Sequence, residues 1–188
     1  MINTNVTSAS WVVTGERCEP FDAIVREYQA RIARYINRLV NDPELALDLT
    51  QDTFVNAFRG IHSLRSELAL GAWLYKIATH LAVRARTKDG RLHMHRLTDF
   101  ENTVQAASMA PDDQIMEREL VQQALMRLPR ERAACLLLHV KEGFSYTEVA
   151  EIVGTTPEGA RKRIARAKEQ FRALYDGARL EAEFGELH

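Results

Sequence analysis

Three groups of charged side chains stand out in the sequence, and their spacing suits binding surfaces rather than a catalytic centre. The acidic group contains no Lys or Arg and comprises Asp42, Glu44, Asp48 and Asp52. A first basic group, interrupted only by Asp89, comprises Arg84, Arg86, Lys88, Arg91 and Arg96. A second, opposed only by Glu158 and Glu169, comprises Arg161, Lys162, Arg163, Arg166, Lys168 and Arg172. Each group alone fits a solvated face, but together they predict separate surfaces for separate partners.

The second basic group lies in a predicted helix-turn-helix. The segment Ser145–Glu148 is a capping box that starts a short helix, and Gly154 ends it because glycine accepts the left-handed conformation. Thr156 and Pro157 supply the N-cap and first residue of a second helix. Its apolar stripe is Ala160, Ile164, Ala167, Phe171 and Leu174. This pattern is typical of a DNA-reading unit, although a surface hairpin with a solvated basic face shares it.

The first basic group begins at the end of a helix predicted over Leu68–Arg86. The buried stripe of this helix comprises Leu70, Trp73, Leu74, Ile77, Ala78 and Leu81. Its outer side carries Tyr75, Lys76, Thr79 and Val83. An exposed aromatic ring beside cations stacks on single-stranded nucleic acid and neutralises its charge. The alternative is that Tyr75 packs against a neighbouring helix with its hydroxyl in water, and this segment alone leaves both open.

The acidic group belongs to a helix predicted from Pro43 to about Gly60, with Asp42 as its N-cap. One side of this helix carries Leu45, Ala46, Leu49, Thr53 and Ala57. The other side carries Glu44, Asp48, Gln51, Asp52 and Val55. An apolar valine within an acidic face is unusual for a purely solvated surface, so this face is predicted to bind a partner.

The overall charge limits how this protein binds DNA. The chain has 188 residues and a formal net charge of −1, with the ordinary globular composition of 46% hydrophobic and 27% charged residues. A free-standing domain held by phosphate contacts is usually clearly basic. The near-neutral balance therefore indicates that a partner supplies much of the DNA affinity.

No signature of catalysis, metal binding or secretion is present. The sequence lacks a Gly-rich phosphate loop, a zinc-protease motif and a nucleophile elbow, so we expect no enzyme activity, cofactor or small-molecule substrate. Cys18 and Cys135 are far apart, and His93 and His95 have no further ligand nearby, so no metal site is predicted. Without a signal peptide or a membrane-spanning apolar run, we expect a cytoplasmic, reduced protein with no membrane insertion.

The hydrophobic patterns predict an all-α protein of two small helical domains joined by a flexible linker, the second containing the helix-turn-helix. Residues 1–20 form an N-terminal arm, and residues 21–87 form a first domain that begins with the amphipathic helix Phe21–Val40. Periodicity is lost over residues 88–111, which form the linker. Residues 112–176 form the second domain, and residues 177–188 form a C-terminal tail.

Three segments carry a resemblance to a known family: Asp48–Phe54, Ala72–Ala78 and Leu128–Arg172. In this order and spacing, the chain from about Phe21 to Leu174 resembles bacterial RNA polymerase sigma factors of the small extracytoplasmic-function (ECF) type. The resemblance implies a dissociable subunit that binds core RNA polymerase, recognises and melts promoter DNA, and starts transcription. It also implies a role in a stress or envelope response and an anti-sigma factor as partner.

The resemblance gives each surface a role. Contacts to core polymerase are carried over to Asp48, Gln51, Asp52 and Phe54. Contacts to the unpaired strand of the minus-ten element are carried over to Tyr75, Lys76, Thr79, His80, Val83 and Arg84. Contacts to the major groove of the minus-thirty-five element are carried over to Thr156, Glu158, Arg161, Lys162 and Arg166.

The chain departs from the family pattern where the melted base is read. Many members carry Asn at the position of His80 and Asp at that of Arg84, so no promoter sequence is carried over. Glu158 would repel phosphate, but its carboxylate can accept a hydrogen bond from N4 of cytosine. Gly159 weakens the reading helix by roughly 1 kcal/mol relative to alanine and offers close backbone approach to DNA.

The main rival hypothesis is an autonomous helix-turn-helix repressor or activator, which would dimerise to read paired half-sites. The sigma factor hypothesis accounts for the near-zero net charge, because polymerase would supply much of the DNA affinity. It also allows two states of the free protein that cover both DNA surfaces. Either the two domains pack together, or an inhibitor clasps them.

Overall fold

The computed structural model describes residues 19–64, 69–85 and 112–185. These ranges contain α-helices and one short 3-10 turn, and no strand. In chain order the elements are α1 (Glu19–Val40), α2 (Pro43–Gly60), the 3-10 turn (Ile61–Ser63), α3 (Leu70–Arg84), α4 (Asp112–Met126), α5 (Arg130–Val140), α6 (Tyr146–Val153) and α7 (Pro157–Gly185). The predicted all-α class with a helix-turn-helix in the second domain is confirmed. The predicted linker, Cys18, and His93 with His95 lie outside the described residues.

The first domain consists of α1, α2 and α3, whose apolar stripes face one another. The buried stripe of α1 comprises Ile32, Tyr35, Ile36 and Leu39. Asn41, with a φ of 52°, turns the chain between α1 and α2. Asp42 caps α2, because its side chain accepts a hydrogen bond from the Leu45 amide at 3.0 Å, and Pro43 occupies the first helical turn. The acidic helix therefore begins where the sequence predicted.

The helix-turn-helix of the second domain consists of α6 and α7. The Ser145 hydroxyl accepts a hydrogen bond from the Glu148 amide at 3.3 Å, and the Glu148 carboxylate accepts one from the Ser145 amide at 2.8 Å. Gly154 adopts the left-handed conformation with a φ of 71°. The predicted capping box and glycine stop are both confirmed. The largest buried side chains beneath this unit are Leu138, Val149, Ile152 and Ile164.

The last helix extends beyond the helix-turn-helix. α7 continues to Gly185, so residues 177–185 belong to a helix rather than to a separate tail. α7 packs on α4 just before this extension, where the Tyr175 hydroxyl donates a hydrogen bond to Glu117 at 2.7 Å, and Ala178 within the extension is buried.

Several predicted absences can be compared with the described part of the chain. None of its helices is long and apolar enough to cross a membrane. No group of three or more His, Cys, Asp or Glu side chains within it could hold a metal ion. Cys135 is a free thiol buried in α5, and burial raises its pKa. Its position in an apolar run is that of a small core residue.

The two domains pack against each other in this structure. α3 lies on α5 and α6, while α1 contacts α4 and α5. Buried residues from both domains join in one apolar cluster. The chain is therefore in a closed arrangement, with the second domain placed over α3.

Candidate nucleic-acid and partner interfaces

The acidic face of α2 points outward and contains more apolar surface than the sequence indicated. Asp48, Gln51 and Asp52 are exposed, as the predicted core-polymerase contacts require. The same helix exposes Leu47, Val55 and Phe58, by 43%, 46% and 55%. Of these three residues, only Val55 was expected on this face from the sequence. The signal for the other two was available, because positions 47, 51, 55 and 58 follow the helical period on one side.

Phe54 does not belong to this outward face. It is buried, and its ring meets the edge of Phe21 with centroids 6.5 Å apart. The neighbouring Thr50 and Thr53 are also buried, and each hydroxyl donates to the backbone carbonyl four residues earlier. Phe54 is therefore a core residue that holds α2 against α1. The ring faces inward in this conformation, so its contact with polymerase stays a prediction that the exposure of the ring does not support.

Tyr75 and Thr79 of α3 are buried rather than exposed. The Tyr75 ring lies between Tyr35 and Phe144, with both centroid distances at 5.1 Å. Its hydroxyl donates a hydrogen bond to the carboxylate of Glu142. The Thr79 hydroxyl is 2.7 Å from the Tyr35 hydroxyl. Burial, reinforced by the negative charge of Glu142, raises the pKa of Tyr75, and burial also raises that of Tyr35.

The expectation of an exposed Tyr75 ring is therefore wrong for the closed chain. The alternative of a packed ring is correct, except that the hydroxyl bonds a carboxylate instead of water. Two side chains that the sequence interpretation did not select, Glu142 and Phe144, cover this face. The sequence offered no direct signal for them, because they lie 67 and 69 residues along the chain from Tyr75.

The remaining predicted minus-ten residues stay accessible. Lys76, His80 and Arg84 are exposed, and Val83 is half-buried. Nδ1 of His80 lies 2.8 Å from the carbonyl oxygen of Lys76. A carbonyl only accepts hydrogen bonds, so Nδ1 must carry a proton to donate to it. α3 therefore presents cations and an imidazole edge while its aromatic ring is covered.

A cleft of about 380 Å³ separates α3 from the second domain. On the first-domain side it is lined by His80, Val83 and Arg84. The helix-turn-helix side contributes Gly154 and Arg163. Part of the predicted minus-ten surface thus faces the helix-turn-helix across this cleft, whereas none of the five predicted minus-thirty-five residues lines it.

The predicted reading face of α7 is open to solvent. All five predicted contacts are exposed: Thr156, Glu158, Arg161, Lys162 and Arg166. Thr156 accepts a hydrogen bond from the Gly159 amide at 3.1 Å, as an N-cap does. Glu158 and Lys162 form an ion pair at 2.7 Å, which the sequence interpretation did not anticipate. A Cβ on residue 159 would lie only 2.6 Å from the Thr155 hydroxyl, so local packing is a structural reason for Gly159.

Further cations lie beside this face. A second cleft, of about 460 Å³, is lined by Arg130, Arg132, Arg163 and Arg166. Arg132 also donates to Gln170 at 2.8 Å, which holds its guanidinium against α7. Neither Arg130 nor Arg132 was predicted to bind a partner, although both stand in the first turn of a helix next to a proline.

Comparisons with known proteins agree with this geometry. Residues 24–92 match the family Sigma-70 region 2, and residues 118–171 match Sigma-70, region 4. The ECF RNA polymerase sigma-E factor of Haemophilus influenzae is 31% identical, over 80% of this chain and 85% of its own. The RNA polymerase sigma-H factor of Pseudomonas aeruginosa is also 31% identical, over 79% and 82%.

A solved structure shares the fold. It is the sigma factor RpoE in complex with the anti-sigma factor NepR from Bartonella quintana, with a TM-score of 0.60 and 19% identity over 84% of this chain and 97% of that one. The order of the matched regions and the similarity to whole relatives together settle the family. The chain belongs to the ECF sigma factors, the subunits that bind core RNA polymerase and promoter DNA to initiate transcription.

Proposed function

We propose that this sigma factor divides its work between its two domains. The first, residues 21–87, docks on core polymerase through the acidic face of α2 and holds the unpaired minus-ten strand along α3. The second, residues 112–176, places α7 in the major groove of the minus-thirty-five element. Residues 88–111 link them. The observation that carries the docking surface is the exposed mixture of Asp48 and Asp52 with Leu47, Val55 and Phe58.

This mixture of carboxylates and apolar side chains is what a protein-binding surface requires. Apolar side chains left in water favour association with a partner, while carboxylates beside them select a partner with basic groups. A purely solvated helix face would not keep Leu47, Val55 and Phe58 together on the outside. We therefore infer that α2 is covered in the working complex.

The DNA roles follow from charge and exposure. On α7, Arg161, Lys162 and Arg166 are exposed cations on one helix, a pattern suited to phosphate and base contacts in the major groove. On α3, Lys76 and Arg84 are exposed beside the covered Tyr75. All these groups act by binding, so we propose a factor that carries out no covalent chemistry, needs no cofactor and works in the cytoplasm.

We also propose that an anti-sigma factor controls this protein in a stress or envelope response. The support is analogy: the sigma factor of Bartonella quintana that shares the fold was solved in complex with an anti-sigma factor. Such a partner would act by covering one or both of the interfaces described above.

The docking surface is tested by the double variant Asp48→Arg with Asp52→Arg, measured by pull-down and titration with core polymerase. Reversing two exposed charges should weaken core binding about tenfold or more, while both domains stay folded. Glu27→Arg is the matched control, because it reverses the charge of an exposed carboxylate on α1 rather than on α2. Unchanged affinity of the double variant for core polymerase would show that the acidic face is only solvated surface and does not bind core. Footprinting of duplex DNA by a protein that never binds core would instead favour the autonomous regulator.

A further inference from the structure

We propose that the turn between α5 and α6 is an intramolecular latch, which holds the second domain over α3 and masks the minus-ten surface of the free sigma factor. The latch comprises Glu142 and Phe144, and its receptor on the first domain comprises Tyr75 and Arg31. The masking rests on the proposed function of α3, whereas the closure itself rests only on contacts between the domains.

Glu142 is the centre of the latch. Its side chain is only 11% exposed, and it accepts a hydrogen bond from the Tyr75 hydroxyl. Its carboxylate also lies 3.8 Å from the Arg31 guanidinium. A carboxylate removed from water is destabilising unless hydrogen bonds and a counter-charge replace its hydration. Both of these Glu142 partners belong to the first domain, so its burial is compensated through the closed arrangement.

Phe144 completes the apolar part of the latch. Its ring meets Tyr75 edge-on at 5.1 Å, and Tyr75 meets Tyr35 in the same way from the other side. Edge-to-face aromatic pairs are favourable beyond the area they bury. The turn presents both side chains in one direction, with Gly143 between them at a φ of 82°. Only glycine adopts this conformation readily.

Two further donors of the second domain bind helix ends of the first. Gln122, itself buried, donates to the carbonyl oxygen of Arg38 in the last turn of α1 at 3.1 Å. Arg130 donates to the carbonyl oxygen of Ala85, the C-cap of α3. Carbonyls at the ends of helices lack partners within the helix, and a cation is favourable there. The closed arrangement thus satisfies polar groups on both domains, as a specific interface does.

Closure has a direct consequence for nucleic acid. Tyr75 is completely buried, so no base can stack on it until Phe144 and Glu142 withdraw. His80 and Arg84 face the helix-turn-helix across the cleft, which restricts the approach of a strand from that side. A sigma factor that opens on core polymerase would then expose α3 only where it is needed.

The test uses the full chain with the variant Glu142→Ala and the matched control Lys141→Ala, an exposed neighbour in the same turn. Dyes on cysteines introduced at the exposed positions Asn56 and Glu169, in a background with the native cysteines replaced, report the distance between domains. Loss of a hydrogen bond to a charged group should shift the closed-to-open ratio by about tenfold or more. Energy transfer should therefore fall in Glu142→Ala and stay unchanged in Lys141→Ala.

A second readout is binding of a fluorescein-labelled, random-sequence single-stranded DNA to the free protein. If closure masks α3, Glu142→Ala should raise this affinity in proportion to the open fraction, up to about tenfold. Phe144→Ala removes the other member of the latch and should open the chain in the same direction, which keeps the test valid if Glu142→Ala misfolds. Unchanged energy transfer in both variants overturns the latch. If energy transfer falls but DNA binding does not increase, the latch stands, whereas the claim that it masks a DNA-binding surface is overturned. The proposed role of α3 in binding the minus-ten strand would then be the part that fails.

Discussion

α3 and α7 are both expected to contact promoter DNA, yet the structure treats their outer faces differently. The face of α3 carries Tyr75 and Thr79, and both are buried, Tyr75 beneath side chains of the second domain. The face of α7 carries Arg161, Lys162 and Arg166, and it remains in water. Aromatic rings and hydroxyls can be buried once each hydroxyl finds a partner, whereas a dense row of cations cannot be desolvated without matching anions. A nucleic-acid surface rich in aromatic groups can therefore be closed by the protein itself, but a cationic one needs another partner.

The largest expected effect comes from removing the covered ring. Tyr75→Ala should lower the free energy of unfolding by about 3–5 kcal/mol, because it leaves a cavity between Tyr35 and Phe144 and removes the hydrogen bond to Glu142. Urea denaturation followed by circular dichroism measures the change. Tyr75→Phe is the matched control, which keeps the ring and loses only the hydroxyl. A decrease in the free energy of unfolding of less than about 1 kcal/mol in Tyr75→Ala would mean that the ring lies in solvent. The outer face of α3 would then be exposed like that of α7.

The same contrast predicts an alkaline limit to stability. The pKa values of Tyr35 and Tyr75 are raised above the usual value of 10.0, mainly by burial. Since the folded state holds these protons more tightly than the unfolded state, their contribution is fully present below pH 10 and is lost as the pH rises above it. Unfolding titrations should show stability falling by up to about 3 kcal/mol between pH 10 and pH 11 when both groups contribute. Tyr75→Phe should halve that slope, and an unaltered slope would mean that its hydroxyl is not protected.

Local signals explain which parts of this structure the sequence could predict. Asp42, Ser145, Glu148 and Gly154 act on backbone groups within a few residues, and each fulfils its predicted role. The burial of Tyr75 depends on Glu142, 67 residues away, so no periodicity around α3 could reveal it. The burial of Phe54 escaped notice for another reason. It lies next to the acidic stripe in sequence but turns toward Phe21, which a helical wheel would have indicated.

The smallest effect on stability is expected on α7, where Lys162→Ala should change the free energy of unfolding by less than about 0.5 kcal/mol. Its ion pair with Glu158 is exposed on both sides, and such pairs contribute little.

DNA binding by the Lys162→Ala variant should respond differently from its stability. If Lys162 contacts a base, the variant should lose about 1–3 kcal/mol of affinity for its preferred minus-thirty-five sequence, measured with holoenzyme on promoter fragments varied in that element. Lys168→Ala, an exposed lysine on the same helix, is the matched control. A uniform loss across all sequences would make Lys162 a phosphate contact. A loss of stability above about 1 kcal/mol would show that this face, like that of α3, is held by packing, and the contrast between the two helices would fail.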